Sequence, residues 1–348
     1  IEKFDAYYDR ASKWPRPGNI VSNGAFTLEE WMPKRTLKVA KSPTYWDAEN
    51  VQLDGVWFYP IDSRETEERM FRAGELHMTE NCPSNKVPVY QKENPELIHI
   101  APWLGSYYYR LNTTRPPLND VRVRQALAYA IDRKTLVEKI TQGGQLPGNY
   151  FTPPGMMGYE PEDYVTYDPE KAKALLAEAG YAGGQGMKSI EILYNTDEDH
   201  RKIAEAIQSM WKETLGVNAT LLNQDGNVYI DTTDHLRYDA ARAGWIGDFV
   251  DPVNFLECFT TGNGNNRTGW GNSEYDRLVE TARYTNDQTE RNRLYAEAEA
   301  LLMTEMPIIP LYIYTRVYLI DPAVKGRESN VMDYTLYKSL RLEHPSGE

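Results

Sequence analysis

The sequence predicts an α/β protein built from two compact lobes. Strand-like and helix-like patterns alternate along most of the chain. Its 348 residues exceed what a single core usually organises. The balance of 41% hydrophobic to 26% charged residues is that of a folded, soluble chain rather than a disordered one.

Taken in order, Thr36–Lys41 (TLKVAK) and Leu53–Tyr59 (LDGVWFY) read as strands, separated by a loop containing Pro43. A helical stretch over Glu65–Phe71 ends at Gly74, before a short strand near Leu76–Thr79. Tyr107–Leu111 alternates as a strand within an aromatic cluster, and Pro116-Pro117 breaks the backbone before Val121. Val123, Leu127, Ala130 and Ile131 recur at helical spacing, and Leu136, Val137 and Ile140 mark a second helix. Gly143–Tyr159, rich in Gly and Pro, is expected to be a long loop on the surface of a cleft.

Asp168-Pro169-Glu170 supplies an N-cap followed by Pro at the first helical position, and Gly180 closes that helix. Ser189–Tyr194 and Val217–Leu222 read as strands flanking a helix whose apolar stripe is Ile203, Ile207, Met210, Trp211 and Leu215, a βαβ unit. Two further helices are expected over Tyr275–Ala282 and Thr289–Met303. Pro307 and Pro310 then flank a final β-prone run, Leu311–Ile320. No internal repeat or low-complexity tract is present.

Charge and motif content narrow the function. A net charge of -13 disfavours nucleic acid or an anionic membrane as partner. No apolar run is long enough to span a bilayer. Cys82 and Cys258 lie far apart without CxxC or zinc spacing, and the sequence leaves open whether they pair or stay as buried thiols. The histidines at 77, 99, 200, 235 and 344 form no HxxxH or HxH pair, so no metal site is expected. There is no GxSxG elbow, no phosphate-binding loop and no GxGxxG after a strand, so no cofactor is expected either. With 51 acidic residues, a carboxylate pair for glycoside hydrolysis arises readily by chance and carries little weight. The 25 tyrosines and 8 tryptophans suit a roomy binding cleft, although many must be core.

Tyr238–Phe255 (YDAARAGWIGDFVDPVNF) is the most informative segment. An alternating run (Tyr238, Ala240, Arg242) leads into Gly-Trp-Ile-Gly-Asp, and Asp251-Pro252 offers a helix start. Gly244 and Gly247 are expected to permit backbone angles closed to other residues, bringing Trp245 and Asp248 together. Spacing alone favours an ordinary strand-to-helix loop with a capping aspartate. The second reading is a corner where an aromatic plate and a carboxylate hold a ligand that has an apolar part and a positive end.

Several segments together resemble the solute-binding proteins of bacterial peptide-import ABC transporters, the oligopeptide-binding group. They are PGNIVSNGAF (17–26), SPTYWDAENV, NDVRVRQALAYAIDR (119–133), YFTPPG (150–155), DPEKAKALLAEAGY (168–181), ARAGWIGDFVDP (241–252) and PIIPLYIY (307–314). The resemblance implies a type II periplasmic-binding-protein-like fold with two lobes and mixed sheets flanked by helices. Family members begin with a further stretch, so the chain is expected to be a C-terminal fragment with an incomplete first lobe. Residues 1–104 would form part of lobe I, 105–314 lobe II, and 315–348 the return into lobe I.

The resemblance further implies a monomeric extracytoplasmic receptor without catalytic activity, lipid-anchored or free, that captures peptides and hands them to a membrane permease. Relatives of the same fold bind dipeptides, murein peptides, nickel chelates or oligosaccharides; a glycan hydrolase or a non-transport peptide sensor are the remaining alternatives. Asp248 matches the aspartate that receives the ligand's α-ammonium group, and Trp245 would wall a side-chain pocket or join the lobe core. Arg242 matches an arginine near the ligand, or balances Asp239 or another internal carboxylate. Tyr108 and Tyr314 match pocket tyrosines, each with a plain core ring as the competing reading. His200 corresponds to a histidine near the C-terminal end of longer ligands, against a solvated residue at a helix start. Arg110 stands where relatives can carry an acid and Thr233 where some carry an arginine, so ligand length and side-chain preference do not transfer. Gly105 and Ile246 replace a cysteine pair found in some relatives.

Overall fold

The computed structural model describes residues 12–343, so His344 and the outermost ends of the expected first-lobe segments lie outside it. The chain divides into two compact units. One is Pro102–Thr315; the other joins the described residues up to Ala101 with those from Arg316 on.

The second of these units opens with a three-stranded antiparallel sheet, β1 (Phe26–Met32), β2 (Thr36–Lys41) and β3 (Gly55–Phe58). Helix α1 (Arg64–Arg72) starts at Ser63, whose hydroxyl accepts a hydrogen bond from the Thr66 amide at 3.2 Å. With α2 (Val87–Glu93) it helps enclose a small core of Phe71, Cys82, Val87, Tyr90 and Leu319. The short strand expected at Leu76–Thr79 is only an isolated bridge, Met78 to Ile320. The ladder stops because the Thr79 hydroxyl takes over as acceptor for the Leu319 amide.

The unit Pro102–Thr315 is built on a six-stranded mixed sheet. Its strands are β4 (Ile98–Leu111), β5 (Leu146–Pro147), β6 (Ile190–Asn195), β7 (Ala219–Gln224), β8 (Ala240–Ile246) and β9 (Ile308–Leu319), in the order β5-β9-β4-β8-β6-β7. β4 and β9 extend beyond the limits of the unit. β6 runs parallel to both β7 and β8, whereas β4 and β8 are antiparallel. Helix α6 (Glu198–Leu215) connects β6 to β7 as the expected βαβ crossover. Its buried stripe of Ile203, Ile207, Trp211 and Leu215 follows the sequence periodicity, and the Trp211 indole N–H donates to the Leu127 carbonyl at 2.9 Å.

Helix α3 (Val121–Tyr129) is capped by Asp120 and precedes α4 (Arg133–Thr135), which continues over Leu136–Thr141 as a wider, π-type turn. α5 (Pro169–Glu178) begins at Asp168, whose carboxylate accepts from the Lys171 amide at 3.0 Å. Helix α7 (Gly226–Asp234) is not signalled by the residue pattern. Only Tyr229, Thr232 and Thr233 of it are buried, so it shows no apolar stripe at helical spacing. The unit also contains α8 (Val253–Leu256), α9 (Ser273–Tyr284) and α10 (Gln288–Glu305).

Two expectations need correction. β9 starts before Pro310 rather than after it, and the Pro310 carbonyl accepts from the buried Arg133 guanidinium at 2.8 Å. The Gly143–Tyr159 segment does not merely lie on a surface, since Phe151 and Thr152 are fully buried. Glu299 of α10 draws it inward: one carboxylate oxygen accepts from the Phe151 and Thr152 amides, both at 2.8 Å, and the other from the Tyr159 hydroxyl at 2.5 Å.

Candidate functional site

The register between β4 and β8 sorts the candidate residues onto two faces of the large sheet. Residues directly opposite each other share a face, and neighbours along a strand alternate. Tyr109 lies opposite Arg242 and Tyr107 opposite Gly244; Tyr108 lies opposite Ala243, Arg110 opposite Ala241 and Ser106 opposite Trp245. Arg242 therefore shares a face with Tyr107 and Tyr109, while Tyr108, Arg110 and Trp245 occupy the other.

The Arg242 face is an aromatic cluster around a cation. Tyr107 stacks on Tyr312 with centroids 4.6 Å apart, meets Tyr314 edge-on at 5.9 Å, and lies 5.5 Å from the His200 ring. The Arg242 guanidinium sits 4.9 Å from the Tyr107 centroid and donates to the Tyr314 hydroxyl at 3.0 Å and to Asn195 Oδ1 at 3.3 Å. Asp239 is not its partner, since that carboxylate accepts from the Glu191 amide instead. Burial opposes the charge on Arg242, yet the phenols of Tyr314, Tyr107, Tyr229 and Tyr312 hold its pKa above the usual arginine value. His200 is buried, not solvated; its Nδ1 lies 3.3 Å from the Tyr107 hydroxyl and 3.7 Å from Asp197.

Tyr314 reaches across Gly105 and Gly244. A Cβ on Gly244 would stand 2.6 Å from the Tyr314 hydroxyl, and one on Gly105 would stand 2.5 Å from the Ile246 side chain. Gly105 and Ile246 are direct cross-strand partners. Neither Gly244 nor Gly247 adopts a left-handed backbone. This corrects the expectation drawn from the sequence: both glycines are required by space rather than by angle. β8 continues through Gly244 to Ile246, and a Cβ on Gly247 would fall 2.8 Å from Leu104.

On the opposite face Tyr108 is a buried core ring, edge-on to Phe151 at 5.1 Å and to Phe259 at 5.8 Å. Arg110 is buried beside it, its Nη2 donating to the Tyr108 hydroxyl at 3.4 Å. Thr233, where some relatives carry arginine, is fully buried, and its hydroxyl donates to the Ile230 carbonyl at 3.0 Å.

Trp245 and Asp248 are joined through a residue that sequence reasoning missed. The Oδ1 of Asn254 accepts from the Trp245 indole N–H at 3.2 Å and from the Asp248 amide at 2.9 Å. Asn254 is itself buried, and an amide side chain inside the apolar run VNFL is the signal that could have found it. The helix start belongs to Asp251, whose carboxylate accepts from the Val253 amide at 2.9 Å and pairs with Arg291 at 2.7 Å. Asp248 is thereby left free of the capping role. Its side chain is exposed beside the exposed Phe249 and Val250, and among the described residues its carboxylate has no cation and no hydrogen-bond donor.

The described residues contain no cluster of His, Cys, Asp and Glu arranged to hold a metal, and no helix among them is long and apolar enough to cross a membrane. Both cysteines are buried. Burial, Glu257 and Asp248 push the Cys258 thiol up to about 12, against the opposing effect of Arg110.

Comparison with known proteins places these features in a wider set. The family of bacterial extracellular solute-binding proteins, family 5, matches residues 2–267. The periplasmic oligopeptide-binding protein OppA of Escherichia coli is 37% identical over 334 residues, covering 94% of this chain and 60% of that protein. This chain thus spans about three fifths of the length of such curated relatives. Among solved structures, the murein tripeptide binding protein MppA of Escherichia coli superposes with a TM-score of 0.88 at 36% identity, covering 95% of this chain and 67% of that one. OppA of Haemophilus influenzae, in complex with the peptide RPPGFSPFR, gives a TM-score of 0.85 at 30% identity over 98% of this chain and 67% of that one. These neighbours share the type II periplasmic-binding-protein-like α/β fold, with mixed sheets flanked by helices, and they are binding proteins. The chain belongs to the family 5 bacterial extracellular solute-binding proteins.

Proposed function

We propose that this chain is the greater part of a monomeric extracytoplasmic receptor that captures peptides and delivers them to the permease of an ABC transporter, without chemistry on the ligand. Pro102–Thr315 is the peptide-binding lobe in this reading, and the remaining unit belongs to the first lobe. The observation that carries the proposal is the Asp248 corner. A carboxylate with no partner among the described residues, set by Asn254 beside the Trp245 indole, suits a ligand that brings its own ammonium group and an apolar side chain. Every peptide with a free amino end supplies that ammonium group. Arg242, Tyr314 and His200 belong to the opposite sheet face, where Arg242 already donates to Tyr314 and Asn195. Their role is to hold the strand pair that carries the corner, and Tyr108 supports it from the core.

Calorimetry with Ala-Ala-Ala and its N-acetylated form tests the assignment. The wild type is expected to bind the free-amine peptide, and Asp248→Asn to lose about 10- to 100-fold of that affinity, the loss of one charge-assisted contact. The acetylated peptide should bind weakly to both. An equal loss for the two peptides would remove Asp248 from the amine role.

A further inference from the structure

Arg110, Arg124, Arg133 and Arg242 of Pro102–Thr315 have buried side chains or lie among rings, and they are stabilised very differently. Arg124 donates to the carbonyls of Glu305, Met306 and Leu118, and Arg133 to those of Pro310, Ala128 and Ile131. Both cations are solvated mainly by backbone oxygens, with Arg133 Nη2 alone left buried without a partner among the described residues. Arg242 has Asn195, the Tyr314 hydroxyl and the Tyr107 face. Arg110 has much less.

Arg110 is only 6% exposed, on the β4 position opposite Ala241. Among the described residues its one side-chain hydrogen bond is the 3.4 Å contact to Tyr108, near the outer limit for such a bond. The guanidinium carbon lies 5.7 Å from the Tyr108 ring centroid, and Nε is buried with no partner. No carboxylate pairs with it among the described residues; burial opposes its charge, and only the phenols of Tyr108, Tyr229 and Tyr238 favour it there. A permanently charged guanidinium removed from water without an anion is costly, and the cost is relieved when an anion arrives. Arg110 shares a sheet face with Trp245 of the amine corner, which pairs with Ser106 four positions along β4.

We propose that Arg110 receives a carboxylate carried by the ligand close to its amino end, so that this receptor selects peptides with an acidic residue among their first positions. The inference rests on the peptide-binding reading and deepens it. Asp248 takes the positive end of the ligand, and Arg110 supplies the anion-specific contact. Specificity follows because a neutral side chain leaves the guanidinium unpaired, whereas a basic one adds repulsion.

Two isosteric pairs separate the outcomes: Ala-Glu-Ala against Ala-Gln-Ala, and Glu-Ala-Ala against Gln-Ala-Ala, each titrated calorimetrically into the chain. The acidic member of at least one pair is expected to bind about 10-fold or more tightly than its amide. Arg110→Gln should bring that ratio to about 1, and Arg110→Lys should retain part of it. Amide and acid binding within about twofold in both pairs would overturn the role of Arg110 while leaving peptide capture intact. Survival of the full ratio in Arg110→Gln would overturn that role equally. If that variant does not fold, the wild-type ratios and Arg110→Lys decide. Failure of all four peptides to bind the wild type would overturn peptide capture and this inference together.

Discussion

Two carboxylates in the same unit, Glu299 and Asp248, show opposite ways of treating a negative charge. Glu299 is fully buried, and its oxygens accept two backbone amides and one hydroxyl, tying the 151–159 segment to α10. Asp248 is exposed, and among the described residues only its backbone amide is engaged. The first carboxylate is spent on architecture. The second is held ready by its backbone, with its oxygens uncommitted. An acid in a binding protein is therefore read by what its oxygens already hold, not by its burial.

The contrast can be broken most forcefully at Glu299. Glu299→Ala leaves two buried amides without an acceptor, and stability should fall by about 3 kcal/mol or more, read from the urea midpoint at constant slope. A loss below about 1 kcal/mol would mean that the 151–159 segment is held by other contacts. Glu299→Gln sharpens the electrostatic half of the argument. Burial raises the Glu299 pKa against the lowering effect of its Tyr159, Thr152 and Phe151 bonds, so the folded protein binds this proton more tightly than the unfolded chain. The wild type should then gain stability relative to the Gln variant as the pH falls from neutrality towards the ordinary carboxylate range, and lose it as the pH rises. Parallel pH profiles for the two proteins would refute this. The smallest effect is expected at Asp248, where Asp248→Ala should move stability by no more than about 0.5 kcal/mol. A large shift in the urea midpoint would show that Asp248 is structural after all.

Much of the fold is legible in the residues because caps and periodicity are local. The Asp168-Pro169 start, the α6 stripe and the β2 boundaries need only their own neighbours. Helix α7 is not legible, because its burial falls on Tyr229, Thr232 and Thr233 rather than on an apolar stripe. The β1 strand escapes as well, since its residues are all half-buried or exposed and leave no strong in–out alternation.

The candidate site is legible in its anchor residues and not in its arrangement. A run of three tyrosines does not say which ring faces Arg242; only the cross-strand register gives that place to Tyr107 and Tyr109 and turns Tyr108 the other way. Asn254 is hidden for a different reason. It contacts Trp245 and Asp248 from nine and six residues downstream, a relation created by the bend between β8 and α8.

The missing side chain at Gly244 gives the molecule a single-atom gauge. The oxygen of Tyr314 lies 2.6 Å from where a methyl carbon would stand there, and the same oxygen receives Arg242. Adding that one carbon must therefore displace ring and cation together, so Gly244→Ala asks whether the β4–β8 pairing yields or resists.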